Sequence, residues 1–226
     1  MTGPAAATLT ERLAAAGFLC LGGFNAADGS VLPALNDGAP ARSLLLIGST
    51  GPSVWSRLTD SPEWGDGKAD PLDRYTRRLL TDIALTEGFS AVFPFEGPPY
   101  HPFQQWATRC GGFSQSPMGV LAHRHYGPWT GFRAAFLSGA PLVSEPVENA
   151  SGPCETCEDK PCISACPATA LTIESGYDVP KCREHLSASR DLDCWTGCLA
   201  RRACPFGAEH RQAPDNARYH MERFAG

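Results

Sequence analysis

Eight of the ten cysteines in this 226-residue chain fall between residues 154 and 204. The other two, Cys20 and Cys110, stand alone. A segment that spends so many positions on thiols is organised by what the thiols bind or bond. Disulfides need an oxidising compartment. The start of the chain, MTGPAAATLTERLAAAGF, has no basic opening and carries Glu11 and Arg12, so a secretory leader is not expected. The expectation is a cytoplasmic protein whose clustered cysteines ligate metal. Cys20 and Cys110 are expected to be buried, inert thiols.

The spacing narrows the metal. The first group reads Cys154-x2-Cys157-x4-Cys162-x3-Cys166-Pro167, and the second Cys182, then Cys194-x3-Cys198-x5-Cys204-Pro205. Thiolates are soft ligands suited to iron–sulfur clusters or zinc. The bacterial ferredoxin run is C-x2-C-x2-C-x3-C-P, and its fourth cysteine ligates the other cluster of the pair. The first group follows that plan with two extra residues between its second and third cysteines, and both groups end in Cys-Pro. The ferredoxin order implies one site of Cys154, Cys157, Cys162 and Cys204, and another of Cys166, Cys182, Cys194 and Cys198. Paired structural zinc sites are the alternative, but zinc ribbons show two C-x2-C knuckles and this chain has one. The expected cofactors are two 4Fe-4S clusters, which move electrons singly.

Charge is nearly even along the chain. Residues 1–150 carry 10 basic and 13 acidic side chains, and residues 151–226 carry 9 and 11. Neither part has the basic excess of a nucleic-acid binder, so nucleic acid is not an expected partner. The densest apolar run, Leu44–Ile47, is far shorter than the roughly 20 residues of a membrane span. Composition divides the chain into a module over 1–142, a linker over 143–153 rich in Pro, Ser and Glu, a double-cluster ferredoxin-like domain over 154–210, and a C-terminal tail over 211–226.

The first module reads as α+β with an antiparallel sheet. Thr8-Leu-Thr-Glu11 is a capping box. RSLLLIGS (42–49) reads as a buried strand, and Pro52 starts a short helix. Asp70-Pro71 opens the strongest helix, with Leu72, Tyr75, Leu79, Ile83 and Leu85 or Thr86 on one face. FSAVFPF (89–95) is a strand and PFQQWATRCGG (102–112) a helix. MGVLAHRHY (118–126) and GFRAAFLSG (131–139) read as two strands joined by a Gly-Pro-Trp-Thr turn. On such a strand His123 and His125 would share a face.

GVLAHRHYGPWTGFRAAFLSGAPL (119–142) resembles the cobalamin-processing cblC-type proteins, whose corrinoid-binding domain has a stretch of the form G-x3-H-x3-G-x-W-x3-R. Gly119, His123, Gly127, Trp129 and Arg133 match it without a gap. SLLLIGSTGPSVWSRL (43–58) resembles that family's strand–turn–helix, and DPLDRYTRR (70–78) its next helix start. A cblC-like module followed by two clusters is similar in arrangement to epoxyqueuosine reductase and to corrinoid reductive dehalogenases, and DVPKC (178–182) is similar to the former's stretch around its isolated cysteine. The resemblance implies a nitroreductase-like α+β fold followed by a bicluster ferredoxin unit, with cobalamin as a further cofactor held by those five residues. The chain departs from epoxyqueuosine reductase where that enzyme has its catalytic Asp: Pro99 stands there, with Glu96 three residues earlier.

The expected function is an iron–sulfur oxidoreductase that passes single electrons through two clusters to a bound corrinoid, reducing it or removing its upper ligand. It would draw on an electron donor protein or reductase. The alternatives are a ferredoxin-like electron carrier without corrinoid and epoxyqueuosine-type tRNA modification.

Overall fold

The computed structural model describes residues 7–26, 32–142 and 151–226. Most of the expected linker, residues 143–150, lies outside the described residues. The chain forms two compact units. One comprises residues 1–49, 53–110 and 131–148, and the other 50–52, 111–130 and 149–226.

In the first unit the sequence signals act locally. Thr8 caps α1 (Leu9–Ala15): its hydroxyl accepts from the Glu11 amide, and the Glu11 carboxylate accepts from the Thr8 amide at 2.8 Å. Strand β1 (Leu19–Asn25), not anticipated from the sequence, pairs antiparallel with β2 (Ser43–Thr50). Its Leu-Gly-Gly run hides the alternation that marks a strand. Helices α2 (Gly51–Thr59) and α3 (Pro62–Gly65) lead to α4 (Pro71–Thr86). Asp70 precedes α4 as expected but holds φ 51°, and its side chain makes no capping bond. Pro71 at the first helical position supplies the start signal instead. The buried stripe of α4 runs through Leu72, Tyr75, Thr76, Leu80, Ile83 and Ala84. Leu80 is buried in place of the expected Leu79.

The expected strand at 89–95 shortens to β3 (Ser90–Val92), and α5 (Phe103–Cys110) follows. The main sheet has strand order β1-β2-β6-β3, where β6 is Thr130–Ser138. Strands β3 and β6 are antiparallel. Leu44, Leu46, Ile47, Phe136 and Leu137 fill the sheet's core with no exposure. Each such side chain contributes about 1.5–3 kcal/mol by leaving water. The fold is therefore a mixed one, an antiparallel sheet with flanking helices.

The expected hairpin between 118–126 and 131–139 does not form. Strand β5 (Leu121–His123) pairs with β4 (Phe113–Gln115) in a separate two-stranded sheet. The cause is a tighter turn than expected: His123 and Gly127 exchange both backbone hydrogen bonds, at 2.8 and 2.7 Å, and close the loop at 124–126. Strand β5 ends there, so His125 leaves the strand and shares no strand face with His123.

The second unit is built from short elements. These are α6 (Pro161–Ser164), the hairpin of β7 (Leu171–Thr172) and β8 (Gly176–Tyr177), α7 (Val179–Ala188), α8 (Leu199–Arg202) and α9 (Pro214–Ala225). The expected tail thus contains a helix, which buries Asn216, Ala217 and Tyr219. The segment 111–130 packs with the cysteine segment. The Cys154 amide donates to Ser114 Oγ at 3.0 Å. A Cβ on Gly152 would overlap the backbone of Phe113 and Ser114.

Candidate functional site: two thiol quartets and an adjoining cavity

Each cysteine of the second unit sits on a turn or at a helix end. Cys154 lies in a 3₁₀ turn, Pro153–Glu155, and Cys194 in another, Asp193–Thr196. Cys162 is on α6 behind Pro161, Cys182 is on α7 behind Pro180, and Cys198 is the N-cap of α8. Cys166 and Cys204 fall just beyond α6 and α8. The proline after each disfavours helical backbone at the cysteine itself. Both thiols are thereby turned out of the helix that precedes them.

Thiols distant in sequence come within electrostatic reach of one another. Burial pushes the thiols of Cys154, Cys162, Cys182, Cys194 and Cys204 up from their ordinary value. Neighbouring thiols push them further. Cys162 feels Cys204, Cys154 and Cys157, and Cys204 feels Cys154 and Cys157. Cys182 feels Cys198 and Cys166, while Cys194 feels Cys198, Cys182 and Cys166. Cys204 thus lies within electrostatic reach of Cys154, Cys157 and Cys162, and Cys166 within reach of Cys182 and Cys194. Among the described residues, no three His, Cys, Asp or Glu side chains converge as a single metal ion requires.

Local donors support both sets. Lys160 Nζ donates to the Cys157 carbonyl at 2.7 Å and the Cys154 carbonyl at 3.2 Å, which folds the first loop around a cation. The Ala170 amide donates to Cys166 Sγ at 3.5 Å. Tyr177 packs against Met118, Cys162, Leu171 and Ala200, and burial pushes its phenol strongly up. His185 Nε2 lies 3.9 Å from Cys194 Sγ.

A cavity of about 410 Å³ opens within this unit, and three thiols of the second set, Cys166, Cys182 and Cys198, line it. Trp129, Tyr177 and Phe224 form other parts of its wall. Trp129 is 4% exposed, and its Nε1 is buried without a hydrogen-bond partner. Native structures rarely leave such a donor unsatisfied. The Arg201 guanidinium lies over the Trp129 ring at 4.9 Å and is held by the Pro128 carbonyl, 2.8 Å from Nε.

The five residues of the Gly-His-Trp-Arg stretch have different surroundings. Gly119 and Trp129 line the cavity. Gly119 has φ 73°, and a Cβ there would stand 3.2 Å from the Tyr177 ring. Gly127 has φ 54°, and a Cβ there would overlap the Phe206 carbonyl. His123 is 7% exposed and stacks on Tyr126 at 4.8 Å. Its Nδ1 accepts from the amides of His125 and Tyr126, at 3.2 and 3.4 Å. Burial lowers its pKa to about 4, so the imidazole is neutral near pH 7. Arg133 belongs to the first unit, where its Nε donates to Ser49 Oγ at 2.8 Å.

Elsewhere, Glu96 is held by Arg77 at 2.5 Å and by the Phe93 amide at 2.9 Å. Cys110 is buried, and its thiol is pushed up to about 12, chiefly by burial. Cys20, expected buried, is exposed, with its thiol directed at the Gly22 carbonyl at 3.5 Å. Sequence reasoning missed Tyr177 and Arg201. Tyr177 directly precedes the DVPKC stretch, the one local signal that could have marked it.

No protein-family model matches the sequence, and no curated protein does. Among solved structures, the C. elegans B12-trafficking protein CblC, a human MMACHC homologue, matches with a TM-score of 0.52 and 15% identity, covering 96% of this chain and 91% of that one. Epoxyqueuosine reductase from Streptococcus thermophilus matches with a TM-score of 0.43 and 15% identity, over 77% of this chain and 51% of that one. This chain shares the fold of the B12-trafficking protein, at an identity that speaks for the fold alone.

Proposed function

We propose that this chain is an iron–sulfur oxidoreductase in which the two thiol quartets each hold a 4Fe-4S cluster and deliver single electrons to a corrinoid. The observation that carries the reading is the electrostatic reach of Cys204 to Cys154, Cys157 and Cys162, and of Cys166 to Cys182 and Cys194. Four thiolates are the ligand complement of a 4Fe-4S cluster. The second quartet also fits by its surroundings, since three of its thiols and the unsatisfied Trp129 N–H share one cavity.

When bound, the clusters supply one-electron chemistry. Cys154, Cys157, Cys162 and Cys204 hold one, and Cys166, Cys182, Cys194 and Cys198 hold the other. Burial favours the protonated thiol, and positive iron reverses that preference, so binding releases protons. Lys160 holds the first loop closed, and the apolar wall around the second quartet excludes water.

Two observations support a corrinoid as the acceptor: the fold shared with the B12-trafficking protein, and the place of Gly119 and Trp129 on the cavity wall. The cavity itself does not enclose a whole corrinoid. Its 410 Å³ lies near the lower end of the roughly 300–1,000 Å³ of drug-sized sites, and cobalamin is much larger than a drug. That limit, with His123 Nδ1 and Arg133 Nε already engaged, favours a second reading, an electron carrier that serves a partner without corrinoid.

The test is anaerobic purification with iron, acid-labile sulfide, zinc and cobalt measured together, followed by titration with hydroxocobalamin. Iron and sulfide in equal amounts and a shifted cobalamin spectrum are expected. An unshifted spectrum in cluster-loaded protein refutes the corrinoid reading and leaves the carrier. Zinc without sulfide refutes both.

A further inference from the structure

The cavity beside the second quartet carries a pattern of charge that its thiols leave unexplained. Among the described residues that line it, Arg201, Arg202 and His220 are basic and none bears a carboxylate. The whole chain has 24 acidic side chains against 19 Lys and Arg, so this wall runs against the composition. Arg201 is engaged by the Pro128 carbonyl and lies over the Trp129 ring. Arg202 is exposed on α8, and among the described residues no hydrogen bond or ion pair holds its guanidinium. Its stem lies along Gly197, where a Cβ would stand 3.4 Å from the Arg202 Cδ. Most of the remaining wall is apolar. Trp129, Tyr177 and Phe224 present rings, and Tyr177 stacks on Phe224 with centroids 6.3 Å apart and planes 19° from parallel. Val120, at 39% exposure, borders the same space. An apolar site with few polar groups orients its ligand through them.

We propose that this cavity binds a small aromatic carboxylate, with its ring against Trp129, Tyr177 and Phe224 and its carboxylate on Arg202. The inference deepens the proposed function by naming a ligand for a cavity that does not enclose a whole corrinoid. It rests on the cluster reading only in placing that ligand next to a cluster. Three observations select the class. The volume of about 410 Å³ admits a molecule of one or two rings. Walls made of rings favour a ring, which packs against them offset or edge-on. A wall of one sign of charge draws an anion, and Arg202 offers the planar fork that pairs with a carboxylate through two hydrogen bonds. A loaded second quartet is itself negative, so the carboxylate stays on exposed Arg202 and the ring lies toward Cys166, Cys182 and Cys198. Binding makes and breaks no covalent bond.

The test is calorimetric titration of the full, anaerobically reconstituted chain with naphthalene-2-carboxylate, and with naphthalene-2-carboxamide as its uncharged analogue. The expected result is one site per chain that takes the carboxylate roughly tenfold more tightly than the amide. Arg202→Gln should lose that preference and bind both alike, with iron and sulfide unchanged. Val120→Trp fills the space and should abolish binding of both. No binding of the carboxylate, equal affinity of the wild type for the two probes, or carboxylate binding that either variant leaves untouched overturns the inference, and the cluster reading stands. Where a variant loses iron, the wild-type preference between the two probes decides. Wild-type protein free of iron and sulfide refutes the cluster reading, and the same titrations then decide this inference on that protein.

Discussion

The crossed grouping of the thiols makes a prediction that paired substitutions resolve. Two clusters of four irons give about eight irons per chain. Cys204 influences Cys162 and is influenced by Cys154 and Cys157, although some forty residues separate it from them. Cys166 lies four residues from Cys162, yet it acts on Cys182 and Cys194. The double variant Cys157→Ala/Cys204→Ala therefore removes two ligands from one quartet and leaves the other whole, so iron should fall to about four per chain. Cys157→Ala/Cys166→Ala damages both quartets, and iron should fall close to zero. An uncrossed arrangement, with each local group holding its own cluster, predicts the reverse for both variants. The assay is anaerobic reconstitution followed by iron and acid-labile sulfide determination on monomeric protein. Magnetic resonance of the reduced samples adds a check: the broadening that two neighbouring clusters cause in each other should vanish from the four-iron variant. Near-zero iron in the first variant with about four in the second would refute the grouping.

Other expectations concern stability and are measured by urea unfolding of the metal-free chain. Arg78 grips Glu63 through two bonds of 2.5 and 2.9 Å and lowers its pKa to about 2. That stabilisation is complete above the ordinary carboxylate range and is lost as pH falls through about 2. Allowing for the half-exposed Arg78 side chain, Glu63→Gln should cost about 2 kcal/mol at pH 7 and much less near pH 2, and a pH-independent cost would contradict the pairing. His123 is buried and neutral, with its pKa depressed to about 4. Its contribution is complete above the unfolded value of roughly 6.5 and drains away down to about pH 4. His123→Asn, which keeps an acceptor for the two amides, should flatten the wild-type loss of about 2–3 kcal/mol across that window. Gly127→Ala meets both a positive φ and the Phe206 carbonyl, and should cost at least ~2 kcal/mol. A loss under 0.5 kcal/mol would mean that the turn relaxes freely.

The local grammar of the chain was legible in its residues. Thr8 and Glu11 form their capping box, Pro71 starts the long helix, and the Leu44–Ile47 run is a buried strand. These outcomes depend on contacts a few residues apart, and such contacts are written in spacing. The apolar register on α4 shows the limit: Leu80 is buried in place of Leu79, and Leu85 and Thr86 are exposed, because a helix has two nearly equivalent rows and the neighbour it packs against chooses between them.

What only the tertiary structure decided depends on chain return. Spacing by the ferredoxin order implied eight thiols in two crossed sets, but only folding brings Cys204 within electrostatic reach of Cys154 and Cys157. Spacing also suggested a 118–139 hairpin. The backbone pair between His123 and Gly127 closes a tighter turn, so β5 finds β4 and carries residues 111–130 into the unit of the cysteines. That choice puts Gly119 and Trp129 on a wall shared with Cys166, Cys182 and Cys198. It also brings Tyr177, silent in the sequence, onto that wall. A residue's own identity settles which bonds it can make, and burial among distant partners settles which of them it does make.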